Sequence, residues 1–190
     1  MTQPIILASG SPRRREILSQ VSIPHTVMVS NADETVTGTP AEQVEELALR
    51  KANAILPQAP TDSIIIAADT IVAINQQILN KPQDTAQAFA MLQTLQGNWH
   101  EVYTGVAILN GTTTKVFHSK ARVKFRPLSD EEITAYIGTG EPMDKAGAYG
   151  IQEKGAALVA SIEGDFYTVM GLPIFKICEV LLEMGYRYYT

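Results

Sequence analysis

The chain has 190 residues and a mass of 20.7 kDa, the length of one compact domain, expected to cover residues 1–190. A net charge of −5 and a pI near 5.2 exclude a general nucleic-acid binder, which needs a strongly basic surface. No apolar run approaches the ~20 residues of a bilayer span, no secretory leader pattern opens the chain, and the lone Cys178 excludes an internal disulfide; a soluble cytoplasmic protein without a membrane partner is expected.

The run Ile5-Ile6-Leu7-Ala8 reads as a buried strand, and Gly10 supplies a tight turn after it. Ser11 is placed as an N-cap and Pro12 as the first helical residue, which puts Arg13, Arg14 and Arg15 in the first turn. That end of a helix carries partial positive charge and unpaired N–H groups, so each cation there costs roughly 0.3–1 kcal/mol. The cluster is either three solvated arginines or an anion site, where an anion meets both guanidinium groups and N–H donors. Its place after a strand and a Gly-Ser turn favours a phosphate.

Residues 25–29 follow as a short strand. Thr39, Pro40 and Glu42 form a capping box that opens a helix with Val44, Leu47, Ala48 and Ala52 on its apolar face and Pro57 as its stop. Residues 63–68 are a continuous apolar run, expected as a central strand buried on both faces, with Asp69 emerging at its end. Residues 71–79 read as a hairpin-like extension broken at Asn75-Gln76-Gln77. Asp84 and Gln87 open a third helix that ends at Gly97. Residues 102–109 and 115–125 make a hairpin across Asn110-Gly111, and Ser129 to Glu132 cap a helix running to Tyr136. Residues 138–150 read as a glycine-rich loop. Residues 156–162 and 166–170 read as a second hairpin around Glu163-Gly164-Asp165. Pro173 opens the last helix, with Ile174, Ile177, Cys178, Leu181 and Leu182 on one face. The fold class expected is α/β, an elongated mixed sheet flanked by helices.

Asp69 is either a strand-ending turn aspartate or a functional carboxylate at the mouth of a cleft. In the second role it binds Mg²⁺ or Mn²⁺, or takes a proton from an attacking water, with the Thr70 hydroxyl beside it. Glu34 reads alone as a solvated carboxylate and, next to Asp69, as the second ligand of a hard cation. Lys51, late in its helix, is accounted for by the helix dipole. Lys81 is held extended by Pro82. The small residues Ala146, Gly147, Ala148 and Gly150 let backbone approach a ligand, and the Gln152 amide carries the donor and acceptor that read a nucleobase edge; the other reading is a tight loop with a polar tip. His25, His100 and His118 show no zinc spacing, and there is no P-loop, GxGxxG or GxSxG sequence. A phosphate-handling enzyme built here must use arginines, lysines and a divalent ion.

In order along the chain, Leu7-Ala8-Ser9-Gly10-Ser11-Pro12-Arg13-Arg14, Ala68-Asp69-Thr70, Lys81-Pro82, Tyr103-Thr104-Gly105-Val106, residues 144–152 and Gly171-Leu172-Pro173 resemble the Maf family of nucleoside triphosphate pyrophosphatases. The resemblance implies a fold related to the inosine triphosphate pyrophosphatases. It also implies hydrolysis of a nucleoside triphosphate to monophosphate and pyrophosphate, with a divalent cation, Mg²⁺ or Mn²⁺. Asp69 matches the family's proton acceptor, and Arg13, Thr70 and Gln152 match its specificity positions. Ser9, Glu34, Lys51 and Lys81 fall where the family places further polar site groups; Arg14 is read with the substrate-binding residues, and Asp69 with Glu34 as the carboxylates to hold the cation. Arg13, Thr70 and the 144–152 block look like the branch acting on dTTP and UTP; the branch preferring 7-methyl-GTP typically has tryptophan after Ser-Pro and glutamine after the aspartate. The partner implied is a small nucleotide, with room for a homodimer. The other function class kept open is a nucleotide-binding regulator of cell division without significant catalysis.

Overall fold

The structure is a computed structural model and describes residues 3–111 and 113–188. Its α/β architecture follows the expected order, with β1 (Ile5–Leu7), α1 (Pro12–Gln20), β2 (His25–Val27), α2 (Pro40–Ile55), β3 (Ile64–Ile74) and β4 (Gln77–Leu79) in the first half. The second half adds α3 (Thr85–Leu95), β5 (Trp99–Asn110), β6 (Thr113–Phe125), α4 (Asp130–Ile137), β7 (Val159–Glu163), α5 (Phe166–Met170) and α6 (Ile174–Glu183). Strands pair in the order β2-β1-β3-β5-β6-β7, with β4 also against β3. Among the described residues no helix is long and apolar enough to cross a membrane.

Contacts divide the chain into two compact units: Met1–Asp69, Thr104–Ser119 and Gly171–Thr190 form the first, and Thr70–Tyr103 with Lys120–Met170 the second. In the first unit β1 is parallel to both β2 and β3, with Ile5 opposite His25 and Ile64. Ile6, Ala8, Ile65 and Ala67 join Ala48, Ala52 and Ile55 of α2 in one cluster. The alternate residues Ile5, Leu7, Ile64 and Ile66 face the other way and are also buried, as a strand covered on both sides requires. Gly105 sets the distance between β5 and α2: a Cβ there would lie 2.2 Å from the Val44 carbonyl oxygen. The Thr39 capping box forms as read.

In the second unit Val72, Leu79, Leu92, Val102, Phe125, Ile133 and Tyr149 belong to one core. His100, Phe125 and Tyr149 pack edge to face with centroids 4.7–5.3 Å apart. Side chains of Asp84 and Ser129 cap α3 and α4 as the sequence predicts.

Three expectations change. The strand does not end at Asp69; β3 runs on to Ile74, because residues 71–74 are apolar and Val72 to Ile74 find an antiparallel partner in β4 across a turn with positive φ at Asn75 and Gln76. Residues 166–170 are helical, not a strand. The Asp165 carboxylate accepts hydrogen bonds from the Tyr167 amide (3.1 Å) and from the Thr168 amide (2.9 Å) and hydroxyl (2.8 Å), which starts a helical turn. β7 pairs with β6 instead, with Val123 opposite Ile162. On the last helix Leu182 is exposed and Val180 is buried in its place.

Candidate active site

In the first unit the sequence folds a polar cluster around the carboxyl end of β1 and the middle of β3. The Ser9 side chain is buried, and its hydroxyl accepts from the Ser11 amide (3.2 Å) and from Arg14 Nη1 (3.2 Å). Ser11 stands at the N-cap of α1 without a side-chain cap bond, so the serine that organises this turn is Ser9. Pro12 is the first helical residue, as read, and no acidic side chain lies in the first turn.

The arginines divide by role. Arg14 donates from Nε to the Gly171 carbonyl (2.7 Å) and from Nη1 to the Ala68 carbonyl (2.8 Å). Burial pushes its guanidinium pKa down; Asp69 opposes that shift, Arg13 adds to it, and Glu34 opposes it. Arg14 therefore ties three segments of backbone together and sets a fixed positive charge in the field of Asp69. Arg13 is half-buried and Arg15 exposed on the same turn.

Lys51 corrects its dipole reading. It lies outside the last turn of α2, and its ammonium stands 2.5 Å from Asp69 Oδ1 and 2.7 Å from Glu34 Oε1. The side chains of Lys51 and Asp69 are only 15% and 14% exposed, whereas Glu34 is 63% exposed, so the Asp69 contact is the dry one. The signal for this was present: Lys51 shares the helical stripe of Val44, Leu47, Ala48 and Ile55, where a charged residue needs a buried partner. Arg50 was not singled out, yet it holds the loop that presents Glu34. It donates to the Thr35 carbonyl (2.7 Å) and to Glu46 (2.8 Å), while Asp33 accepts from the Thr35 amide (2.9 Å).

Ser9, Arg14, Glu34, Lys51 and Asp69 are thus brought together within one unit. Thr70, Lys81 and Gln152 belong to the second unit: Thr70 follows Asp69 on β3, Lys81 is exposed before buried Pro82, and Gln152 is half-buried in a bend. The 144–152 segment, read as a backbone approach to a ligand or a tight loop with a polar tip, is largely buried. Gly147, Ala148, Tyr149 and Gly150 are buried, and Ala148 and Tyr149 belong to the core. A Cβ at Gly147 would meet Val72 at 2.9 Å, and one at Gly150 would meet Lys145 at 2.7 Å, so these small residues serve packing. Lys145 itself is buried and donates to the Glu141 carbonyl and to Asp144, both at 2.7 Å.

Among the described residues no three His, Cys, Asp or Glu side chains converge on one point. The protein's own hard-oxygen donors here are Asp69 and Glu34. Such a pair fits Mg²⁺ or Mn²⁺ held partly by the protein and partly by phosphate oxygens and water, the usual arrangement in phosphate-handling sites.

Comparison with known proteins gives the chain's relatives. The chain is 50% identical over 190 residues to a protein of Symbiobacterium thermophilum named dTTP/UTP pyrophosphatase, covering 99% of this chain and 97% of that one. It is 49% identical to a Bacillus cytotoxicus protein of the same name, over 94% of each chain. A Pelotomaculum thermopropionicum protein of that name is 46% identical, over 96% of this chain and 97% of its own. The Staphylococcus aureus Ham1 protein structure matches with a TM-score of 0.50 and 15% identity, over 96% of this chain and all of that one, a likeness of fold alone. A family profile described as Maf-like protein matches residues 4–184, and with these relatives it shows that the chain belongs to the Maf family.

Proposed function

We propose that this chain is a nucleoside triphosphate pyrophosphatase acting on dTTP and UTP, releasing the monophosphate and pyrophosphate, and that residues 1–190 work as a single Maf-like domain. The observation that carries the reading is a largely buried aspartate side chain, 14% exposed, held against an ammonium near an arginine-lined turn, in a chain about half identical to proteins named for this activity. The uncapped N–H groups of α1 and the Arg13 guanidinium receive the phosphate chain, with Ser9 and Arg14 holding the turn in shape. Asp69 accepts the proton of the water that attacks the α-phosphorus, and pyrophosphate departs toward the cationic turn. Asp69 and Glu34 are the residues to hold Mg²⁺ or Mn²⁺, which when bound neutralises phosphate charge.

Thr70 and Gln152, which match the family's specificity positions, are assigned to the base, and Lys81 to phosphate. Thymine and uracil share an N3–H donor between carbonyl acceptors, which one amide partly matches; cytosine presents an acceptor and an amino group instead. A site built to satisfy one pattern leaves buried polar groups unpaired with the other. Purified protein is assayed with Mg²⁺ on dTTP, UTP, CTP, GTP and 7-methyl-GTP, reading pyrophosphate against inorganic phosphate. Pyrophosphate from dTTP and UTP above the others is expected, with Gln152→Ala flattening the preference. Release of inorganic phosphate, or a preference for 7-methyl-GTP, refutes the reading.

A further inference from the structure

Lys51 stands where a cation shared by Asp69 and Glu34 would stand. Its ammonium touches one oxygen of each carboxylate, at 2.5 and 2.7 Å. Lys51 and Asp69 are largely buried, and Glu34, though exposed, sits on a fastened loop. Lys51 projects from the buried stripe of α2, and the Glu34 loop is fastened by Arg50 through the Thr35 carbonyl. A divalent ion and this ammonium need the same oxygen lone pairs and repel one another across a few ångströms.

We propose that Lys51 is the resident counter-cation of the divalent site, holding Asp69 and Glu34 in the nucleotide-free protein and withdrawing only when a triphosphate offers it another anion. The inference rests on the metal-dependent reading above and adds an order of events to it. The free ion binds poorly to the empty protein and enters with the nucleotide. The same contact keeps two carboxylates together that would otherwise repel when the site is empty, so the geometry is preformed.

The test measures Mn²⁺ binding to nucleotide-free protein through the paramagnetic resonance signal of free Mn²⁺. Lys51→Gln is expected to bind Mn²⁺ at least about tenfold more tightly than wild type, because a neighbouring positive charge has gone. Lys51→Arg keeps the charge and is expected to stay as weak as wild type. Adding Asp69→Asn to Lys51→Gln is expected to abolish the gain. Lys51→Met gives the same comparison should the glutamine variant fail to fold. A Lys51→Gln or Lys51→Met protein that binds Mn²⁺ no better than wild type overturns the assignment, as does a gain that survives Asp69→Asn. Pyrophosphate release from dTTP by wild type is scored in parallel: turnover without any Mn²⁺ gain removes the counter-cation alone, and a gain without turnover upholds it while removing the proposed activity.

Discussion

Gly105→Ala should damage this protein out of proportion to one methyl group. The added carbon would lie 2.2 Å from the Val44 carbonyl oxygen, 2.3 Å from its carbon and 2.7 Å from the Glu45 nitrogen. All three atoms are helix backbone, so no rotamer change relieves the contact. α2 must retreat by roughly 1 Å, loosening Ala48 and Ala52 from a cluster in which both are fully buried, and overpacking of this kind costs typically 1–3 kcal/mol and more where backbone must move. At about 3 kcal/mol, a chain of this length loses roughly 6–12 °C in melting temperature. The retreating helix also carries Lys51 away from Asp69, so kcat should fall in the folded variant at temperatures well below its transition. Thermal unfolding followed by circular dichroism, with pyrophosphate release at 20 °C, measures both. Gly138→Ala is the control, since a Cβ there meets only ordinary contacts, the nearest at 3.4 Å, and φ is −59°. A Gly105→Ala protein that melts within a degree or two of wild type would refute the packing argument.

Asp69→Asn should lower turnover by about 10²–10⁴-fold while circular dichroism stays native, and near-wild-type turnover would remove Asp69 as proton acceptor. Arg13→Ala should weaken triphosphate binding by roughly 1.5–3 kcal/mol with little change in melting temperature, because a charge-assisted bond is lost and a cation leaves the positive end of a helix. Arg14→Ala should do the reverse first, lowering stability by about 2–4 kcal/mol as the Ala68 and Gly171 carbonyls lose their donor; equal stability of the two variants would contradict the division of roles. Burial holds the pKa of His100 down at about 4, below its ordinary 6.5. Between those values the unfolded chain binds the extra proton, so stability present above pH 6.5 falls by about 3 kcal/mol as the pH drops to 4. Urea unfolding at pH 7 and pH 4.5 should show a smaller loss in His100→Gln, and an identical loss would place the acid sensitivity elsewhere.

What could be read in the amino-acid order was local chemistry. The Thr39, Asp84 and Ser129 caps form at the positions their side chains announce, because a cap needs only its own next three residues. Where a distant partner decides, local reading fails. The hairpin of residues 71–79 was legible from its apolar ends and polar break, but that one strand runs unbroken through Asp69 into it depends on the sheet. Phe166 to Met170 have the aromatic and β-branched character of a strand, yet one aspartate side chain turns them helical. The small residues of the 144–152 segment read as room for a ligand or a tight loop, and its glycines turn out to admit Val72 and Lys145. At the site, Asp69 and the arginine turn were legible as residue types in suggestive places. The pairing of Lys51 with Glu34 and Asp69, and the carbonyls that occupy Arg14, required three dimensions.

The hydrogen bond from Arg14 to Gly171 spans 157 positions of sequence, and the unit that holds it is assembled from three separate stretches of chain. During synthesis the acceptor emerges 157 residues after the arginine. At about 5–20 residues added per second, this turn waits roughly 8–30 seconds for its fastening, with a parallel β1–β3 pairing that is itself slow to form. The second unit, whose segments lie between those ends, has its residues available earlier. Ribosome-bound chains arrested before residue 171 should therefore protect Phe125 and Tyr149 from probing while leaving the Ser9–Arg14 turn open to protease. The turn that Arg14 fastens should thus be among the last parts of this unit to acquire its shape.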